Sequence, residues 1–531
     1  MSHGTGQQTT CRAESLSLDR LRLQTVHLWM SIPVFLVAWM GFMHPLRKLD
    51  FWWHLKVGEV IFSTGEIPRV DFFSFTHAGR PFFYQQWLGE VLYYLTYRVG
   101  GFPLLIALNT VLLLLTLVFV FHLCLEAMAR PRVASLCSLV AAIVLGLYSN
   151  VRPQSYSFVL FAAFYWILRG YCDRRRDRLW ALPLLMIPWV NLHGAFILGI
   201  GMIGVVLGTE TIRRMLWGPR ADTLPPSALA KLALVLVLTV LASLANPEGY
   251  HIFAYVRQLQ VDPSSQLFVT EWQVPDIKKL GDALIFFGPF FLTLLVFFYS
   301  RRRLSLTELG LFLTFAVLGL GAMRNGIWFA LIAAPMLAQH LNELDVPNLL
   351  DEMRARPHPG TLVQGSEPQR PSRRPIHYRL NGVILLSLVL FTVMLSPWVR
   401  PHLQAERLNP QLIEQGTPVG AMDYIAEQHL EGNIFHPQAY GDYLIWRLWP
   451  QQRSFLDGRV HLYGRSFVQD YILAFHDDRW ESRLAKYDIR YLLLPKDDKN
   501  AASMIKDAQG SANWKLTYED SISVLFEKQT H

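Results

Sequence analysis

Charge is scarce in this 531-residue chain: Asp, Glu, Lys and Arg make up 17% of it, against about a quarter in ordinary soluble proteins. Cysteine is scarcer still, with four residues. Cys11 and Cys172 fall in polar segments, Cys124 and Cys137 fall in apolar runs, and the C-terminal quarter has none, so no disulfide framework is expected. No HExxH, paired CxxC or EF-hand spacing is present, nor a P-loop or dinucleotide fingerprint. The chain also lacks the internal repeat that a solenoid or a duplicated transporter would show. With 52% apolar and 13% aromatic residues, intrinsic disorder, a collagen-like fibre and a single compact soluble domain are excluded as descriptions of the whole chain.

The charge that exists is unevenly placed. Residues 401–531 hold 32 charges, 14 basic and 18 acidic, whereas residues 1–400 hold 58 with a net of +12. The long N-terminal part contains apolar runs almost free of charge: Thr25–Met43, Leu104–Leu125, Val133–Tyr148, Ser155–Leu168, Leu229–Ala245, Ala283–Tyr299, Leu306–Met323, Gly326–Gln339 and Leu380–Pro397. Several approach the roughly 20 residues that a helix needs to cross a bilayer core, and a continuous apolar run of that length satisfies its backbone polar groups in lipid as a helix. Two shorter runs, Leu179–Val190 and Ala195–Gly208, read as short spans or as a hairpin with its tip at Asn191-Leu192-His193-Gly194. The expected fold class is an all-α polytopic membrane bundle of about 11 helices.

Basic loops orient the bundle. Arg130 and Arg132, the five Arg between 169 and 178, Arg213, Arg214 and Arg220, Arg301 to Arg303, and the six Arg of 341–379 all share one parity. Arg and Lys concentrate on the cytoplasmic side, so the N-terminus is expected inside and the C-terminal segment outside, in a cell (inner or plasma) membrane. The polar first 24 residues, with Arg12, Arg20 and Arg22, predict no cleavable leader. A sequence pI near 9.2 is attributed to these loops and to anionic lipid, not to nucleic acid. Domain boundaries follow: a cytoplasmic tail 1–24, a transmembrane module 25–345 with a first exterior loop 44–103, a cytoplasmic Pro/Arg-rich linker 346–379, a last span 380–397 and an exterior domain 398–531.

Polar residues that solvation does not explain collect on the exterior side. Within loop 44–103, Phe51 to Ser63 and Tyr84 to Arg98 read as amphipathic interfacial helices with Trp52, Trp53 and Trp87 at headgroup depth. Asp50, Asp71, Asn150, Arg152, Gln154, Asn191, His193, Asn246, Glu248, His251, Glu271, Arg324 and Asn325 lie at other exterior ends. Ionisable groups at membrane depth are costly and usually line a cavity or pair. Simpler roles are open for each: Asp50 could pair with Arg47 or Lys48, Asp71 could hold an Asx turn, His193 could be a satisfied hairpin group, and Arg152 could snorkel.

An N-in first span, an exterior loop with an early Asp, two interfacial helices and a second Asp resemble the GT-C glycosyltransferases. The matching residues are Leu49-Asp50-Phe51-Trp52-Trp53-His54-Leu55, Gly58 to Ile61, Thr64-Gly65-Glu66-Ile67-Pro68 and Asp71, similar in order to the bacterial protein mannosyltransferase and aminoarabinose transferase branch. The resemblance implies transfer of a hexose or pentose from a polyprenyl-phosphate donor to a glycan, lipid or protein acceptor in the cell envelope. It implies Asp50 as catalytic base and Asp71 as an assisting acid. It also leaves open a divalent metal ion as the one cofactor, since many members carry adjacent acids where this chain has Asp50-Phe51. Independently of the family, glycosyl transfer needs a base for the acceptor proton and positive charge for the departing phosphate. His54, Arg152, His193, Glu271 and Arg324 are the candidate substrate- and phosphate-binding residues. A transporter or flippase of an amphiphilic substrate and a non-catalytic membrane scaffold are the alternative functions.

The C-terminal segment alternates helix and strand patterns, as a small α/β domain does. Helices are expected at Pro418–His429, Gly441–Trp449 and Trp480–Tyr487. Strands are expected at Asn433–His436, Ser454–Leu456 and Ile489–Leu494, with a hairpin over Trp514–Phe526. Asp457-Gly458-Arg459 reads as a turn, and Tyr440, Tyr443, Trp446 and Trp449 as core or membrane-rim aromatics.

Overall fold

The computed structural model describes residues 23–127, 130–220, 222–344, 378–403, 411–475 and 479–529. Nearly all of the N-terminal tail and of the Pro/Arg-rich linker, with Cys11, lies outside the described residues. Every one of the eleven apolar runs is helical. Five helices are long and apolar enough to cross a membrane: α1 (Thr25–Met43), α3 (Trp87–Glu126), α7 (Phe196–Trp217), Leu280–Tyr299 and Tyr378–Leu395. Shorter apolar helices are α4 (Pro131–Leu147), α6 (Ala181–Leu192), α8 (Pro226–Ala242) and Leu306–Gly321. Helix α5 (Gln154–Arg174) and Gly326–Leu341 pack inside the bundle, the latter buried along almost its whole length.

Local sequence sets the helix ends. Proline opens α4 and α8 at the first helical position, where its missing N–H costs nothing. Ser305 and Glu308 form a reciprocal capping box at the start of Leu306–Gly321, with N–H···O distances of 3.1 and 2.9 Å. Two expected boundaries move. The second interfacial helix and the span after it form one element, α3, broken at Gly100-Gly101, where Gly101 takes φ of 62°. The run expected to stop at Gly208 continues to Trp217, where Arg213 pairs with Glu210 one turn away at 2.7 Å.

One hydrophobic core fills the bundle. Two more join the first loop to the C-terminal segment, so that segment is not a freestanding domain. Its sheet runs β1 (Asn433–Phe435), β2 (Ile489–Pro495), β4 (Ser523–Lys528), β3 (Trp514–Glu519), with β1 parallel to β2 and the other neighbours antiparallel. Leu492 pairs with Phe435 on one side and Phe526 on the other. The expected strand at Ser454–Leu456 does not join this sheet. Ser454 instead bridges to Ser74 of the first loop, its N–H donating to the Phe73 carbonyl at 2.9 Å.

Helix α2 (Phe51–Thr64) is enclosed between bundle and tail, with its aromatic residues packed against protein. Trp52 is fully buried, edge-on to Phe102 and Tyr443, and burying such a ring contributes about 1.5–3 kcal/mol. A Cβ at Gly58 would collide with the Glu90 carbonyl, so glycine there permits α2 to sit against α3. Tyr440 and Tyr443 are buried in the same core. The tail therefore clamps α2, and α2 carries Asp50 at its start.

Candidate functional site

Asp50 occupies the N-terminal flank of α2, and its carbonyl accepts from His54 N–H at 3.1 Å. Neither neighbour pairs with it: Arg47 faces Glu414 at 3.9 Å, and the Lys48 backbone N–H donates to Glu414 at 3.1 Å. The partner of Asp50 is Arg152, just ahead of α5, whose Nη2 lies 3.3 Å from Asp50 Oδ1. Arg152 Nη1 donates to Glu271 Oε1 at 2.8 Å. The Arg152 carbonyl is anchored by Tyr93 Oη–H at 2.6 Å. Its Nε–H is buried and without a hydrogen-bond partner. Buried donors without partners are uncommon.

Glu271 comes from a short 3-10 turn, Thr270–Trp272, in the long connection between α8 and Leu280–Tyr299. The neighbouring Trp272 ring carries Arg324, its guanidinium carbon 4.2 Å from the ring centroid. The connection is fastened to the bundle where Met323 N–H donates to the Gln273 carbonyl at 2.9 Å and Tyr148 Oη–H to the Met323 carbonyl at 2.9 Å. A cavity of about 410 Å³ opens beside these groups, lined by Tyr148, Asn150, Arg152, Glu271, Lys279 and Asp282 among others, with Leu147, Phe158, Val274 and Ile285 as its apolar wall.

The electrostatics agree with the geometry. Burial works against the charge on Arg152, but Asp50 and Glu271 outweigh it and raise the guanidinium's pKa. Burial likewise opposes the Glu271 carboxylate, and Arg152 and Arg324 overcome it, holding its pKa below the usual range. Arg324 is shifted down by burial, with Arg152 adding to the effect. It is the less compensated of the two cations.

His193 caps α6 at the same end. The Ala195 backbone N–H donates to its Nδ1 at 3.2 Å, and Ser157 Oγ lies 3.1 Å from the same nitrogen. A backbone donor at Nδ1 places the ring proton on Nε2. Burial, then Arg324, His54 and Arg152, lowers its pKa to about 3, so His193 is a neutral donor and not a cation. His54 stands apart from the cavity. Its Nδ1 meets Glu90 Oε1 at 2.7 Å, Gln86 Nε2 lies 3.2 Å from its Nε2, and only 3% of the residue is exposed.

Asp71 is not in this group. Its carboxylate accepts from Phe73 N–H at 3.1 Å and Ser74 Oγ–H at 2.5 Å, and lies 2.7 Å from Arg459 Nη1. Arg459 also binds Asp457 through Nε at 2.8 Å and Nη2 at 2.7 Å, and Tyr463 Oη–H donates to Asp457 at 2.6 Å. All three charged side chains are completely buried. Asp71 does combine the Asx-type turn with an ion pair, and the expected turn at Asp457-Gly458-Arg459 is the tail's half of a lock. Sequence reading missed that lock, and also the cavity-lining Tyr148, Lys279 and Asp282. Lys279 had one signal: a lysine pair in a loop on the side otherwise poor in basic residues.

The structure therefore brings Asp50, Arg152, Glu271 and Arg324 together, sets His193 and His54 within electrostatic reach of them but off the cavity lining, and leaves out Asp71. No family model matches the chain, and no curated protein sequence is similar to it. Solved structures are. The oligosaccharyltransferase of Archaeoglobus fulgidus superposes with a TM-score of 0.50 at 13% identity, over 88% of this chain and 69% of that one. ArnT from Cupriavidus metallidurans in the apo state gives 0.50 at 16%, over 94% and 97%. The arabinofuranosyltransferase AftD from mycobacteria gives 0.51 at 12%, over 94% of this chain but 41% of its own length. The chain shares its fold with these solved structures.

Proposed function

We propose that this GT-C-fold chain is an integral-membrane glycosyltransferase that moves a hexose or pentose from a polyprenyl-phosphate donor to an acceptor hydroxyl or amine on the exterior face. Asp50 takes the acceptor's proton, and Arg152 and Arg324 neutralise the departing phosphate, with His193 as a neutral hydrogen-bond donor. One observation carries this reading: four chain segments far apart in sequence converge so that Asp50 pairs with Arg152, Arg152 pairs with Glu271 and Arg324 rests on the neighbouring Trp272, with Arg152 and Glu271 lining one cavity. A base of this kind contributes about 10²–10⁴-fold, and fixed positive charge at the leaving group is commonly the larger effect. The apolar wall of the cavity suits a lipid-linked donor, and the archaeal structural neighbour was solved with a tethered acceptor peptide.

In this reading all eleven apolar helices cross or enter the membrane, with the N-terminus cytoplasmic and residues 398–531 exterior. The Arg-rich end is then cytoplasmic; there Arg169 meets Asp173 at 2.8 Å and Glu308 at 3.6 Å. The test is transfer from a radiolabelled polyprenyl-phosphate sugar in membranes, comparing the natural chain with Asp50→Asn. Loss of product in the variant is expected. Equal transfer would remove Asp50 as the base, and export of an amphiphile without glycosylated product would favour a transporter.

A further inference from the structure

The resemblance leaves room for a divalent ion, but the residues present do not fit one. A hard cation needs several oxygen ligands converging on one point. The two carboxylates that converge here, Asp50 and Glu271, converge on the Arg152 guanidinium at 3.3 and 2.8 Å. The third acid expected from sequence, Asp71, is held by Arg459 in a sealed pocket. Among the described residues, no three His, Cys, Asp or Glu side chains gather as a metal site.

We infer that Arg152 is the resident cation of this site, standing between Asp50 and Glu271 where a metal ion would, and that it latches the base. The donor's phosphate draws Arg152 away from Asp50, and Asp50 is free to accept a proton only once the donor is in place. The inference rests on the reading of Asp50 as base and Arg152 as phosphate ligand.

Three features support it. Arg152 Nη2 sits on Asp50 Oδ1 and so occupies a carboxylate oxygen that would take the acceptor's proton. A phosphate diester presents two non-bridging oxygens that match the planar fork of arginine, which a point-charge lysine cannot reproduce. The buried Arg152 Nε–H lacks a partner, and an orphaned donor carries a standing desolvation cost that an arriving anion relieves. The Asp50 contact, at 3.3 Å, is the longer of the two arms and the one to yield.

The chemical step balances without a further reactant. The acceptor's O–H or N–H bond breaks and its proton passes to the Asp50 carboxylate. The acceptor's electron pair forms the new bond to the anomeric carbon. The bond from that carbon to the phosphate oxygen breaks, its pair leaves with the oxygen, and the polyprenyl phosphate departs with one more negative charge, next to Arg152 and Arg324.

The test is equilibrium binding of undecaprenyl phosphate to the full chain in lipid nanodiscs, read by tryptophan fluorescence, with EDTA or with added Mg²⁺ or Mn²⁺. EDTA is expected to leave affinity unchanged. Asp50→Asn, which removes the competitor for Arg152, is expected to tighten binding about threefold with an unaltered unfolding midpoint. Arg152→Gln is expected to weaken binding about tenfold or more, with no rescue by metal, and Arg152→Lys to fall between. Weaker binding in EDTA, or in Asp50→Asn, would overturn the latch while leaving the phosphate site standing. Unchanged binding in folded Arg152→Gln would remove the phosphate reading itself, and the latch with it.

Discussion

Two arginines in this molecule each lie between two carboxylates, and they differ in everything else. Arg459 and its partners Asp71 and Asp457 are wholly buried, and the guanidinium's Nε and both Nη nitrogens meet carboxylate oxygens within 2.8 Å. Arg152 and its partners Asp50 and Glu271 are 15, 32 and 30% exposed, one contact stretches to 3.3 Å, the Nε–H has no partner, and a cavity opens alongside. The same three residue types make a lock in one place and a site in the other. Saturated, desolvated pairing leaves nothing for a ligand to bind, whereas incomplete pairing at a cavity does.

The largest expected effect that would break this contrast is on the lock. Arg459→Gln strands two buried carboxylates, and breaking such a network costs about 3–5 kcal/mol. Release of residues 411–529 by limited proteolysis is expected at denaturant concentrations that the natural chain tolerates. At the site, Arg324→Gln removes a cation resting on Trp272, an interaction worth about 1–2 kcal/mol when desolvated. Donor affinity is expected to fall about tenfold as one of the two cations facing the phosphate is lost, with a drop in the unfolding midpoint no larger than the lost ring contact accounts for.

Acid tests the burial of the loop and tail directly. Burial holds His77, His436 and His461 at pKa values of about 4. The unfolded chain binds these protons below about pH 6.5, whereas the folded loop and tail do not until about pH 4. Stability is therefore fully present above pH 6.5 and declines between 6.5 and 4. A lower unfolding midpoint at pH 5 than at pH 7.5 is expected, and an unchanged midpoint would contradict the burial argument. The smallest effect serves as a control: Arg447 and Asp423 pair at 2.8 Å on the exposed tail surface, and Arg447→Gln is expected to change stability by less than about 1 kcal/mol.

Much of the bundle was legible because apolar runs and Arg loops are local signals. Asp50, Arg152, Glu271 and Arg324 stood out as charges at an end of the bundle where charge is expensive. What sequence could not give was pairing. Asp71 and Arg459 lie in different halves of the chain, and no local pattern shows that they meet, so Asp71 read as a second catalytic acid. Trp52 and Trp53 read as interface anchors for the same reason: an amphipathic helix looks identical whether its apolar face meets lipid or a folded tail. Ser454–Leu456 had strand character, but the residue it bridges, Ser74, lies in the first loop and not in the sheet.

The contrast between site and lock reduces to two conservative changes measured side by side, Asp50→Asn and Asp71→Asn, each assayed for sugar transfer per folded molecule and for unfolding midpoint. Asp50→Asn is expected to lose about two to four orders of magnitude in rate with its midpoint intact. Asp71→Asn is expected to lower the midpoint while each folded molecule retains its rate. A rate loss in Asp71→Asn at unchanged stability, with Asp50→Asn active, would contradict the account.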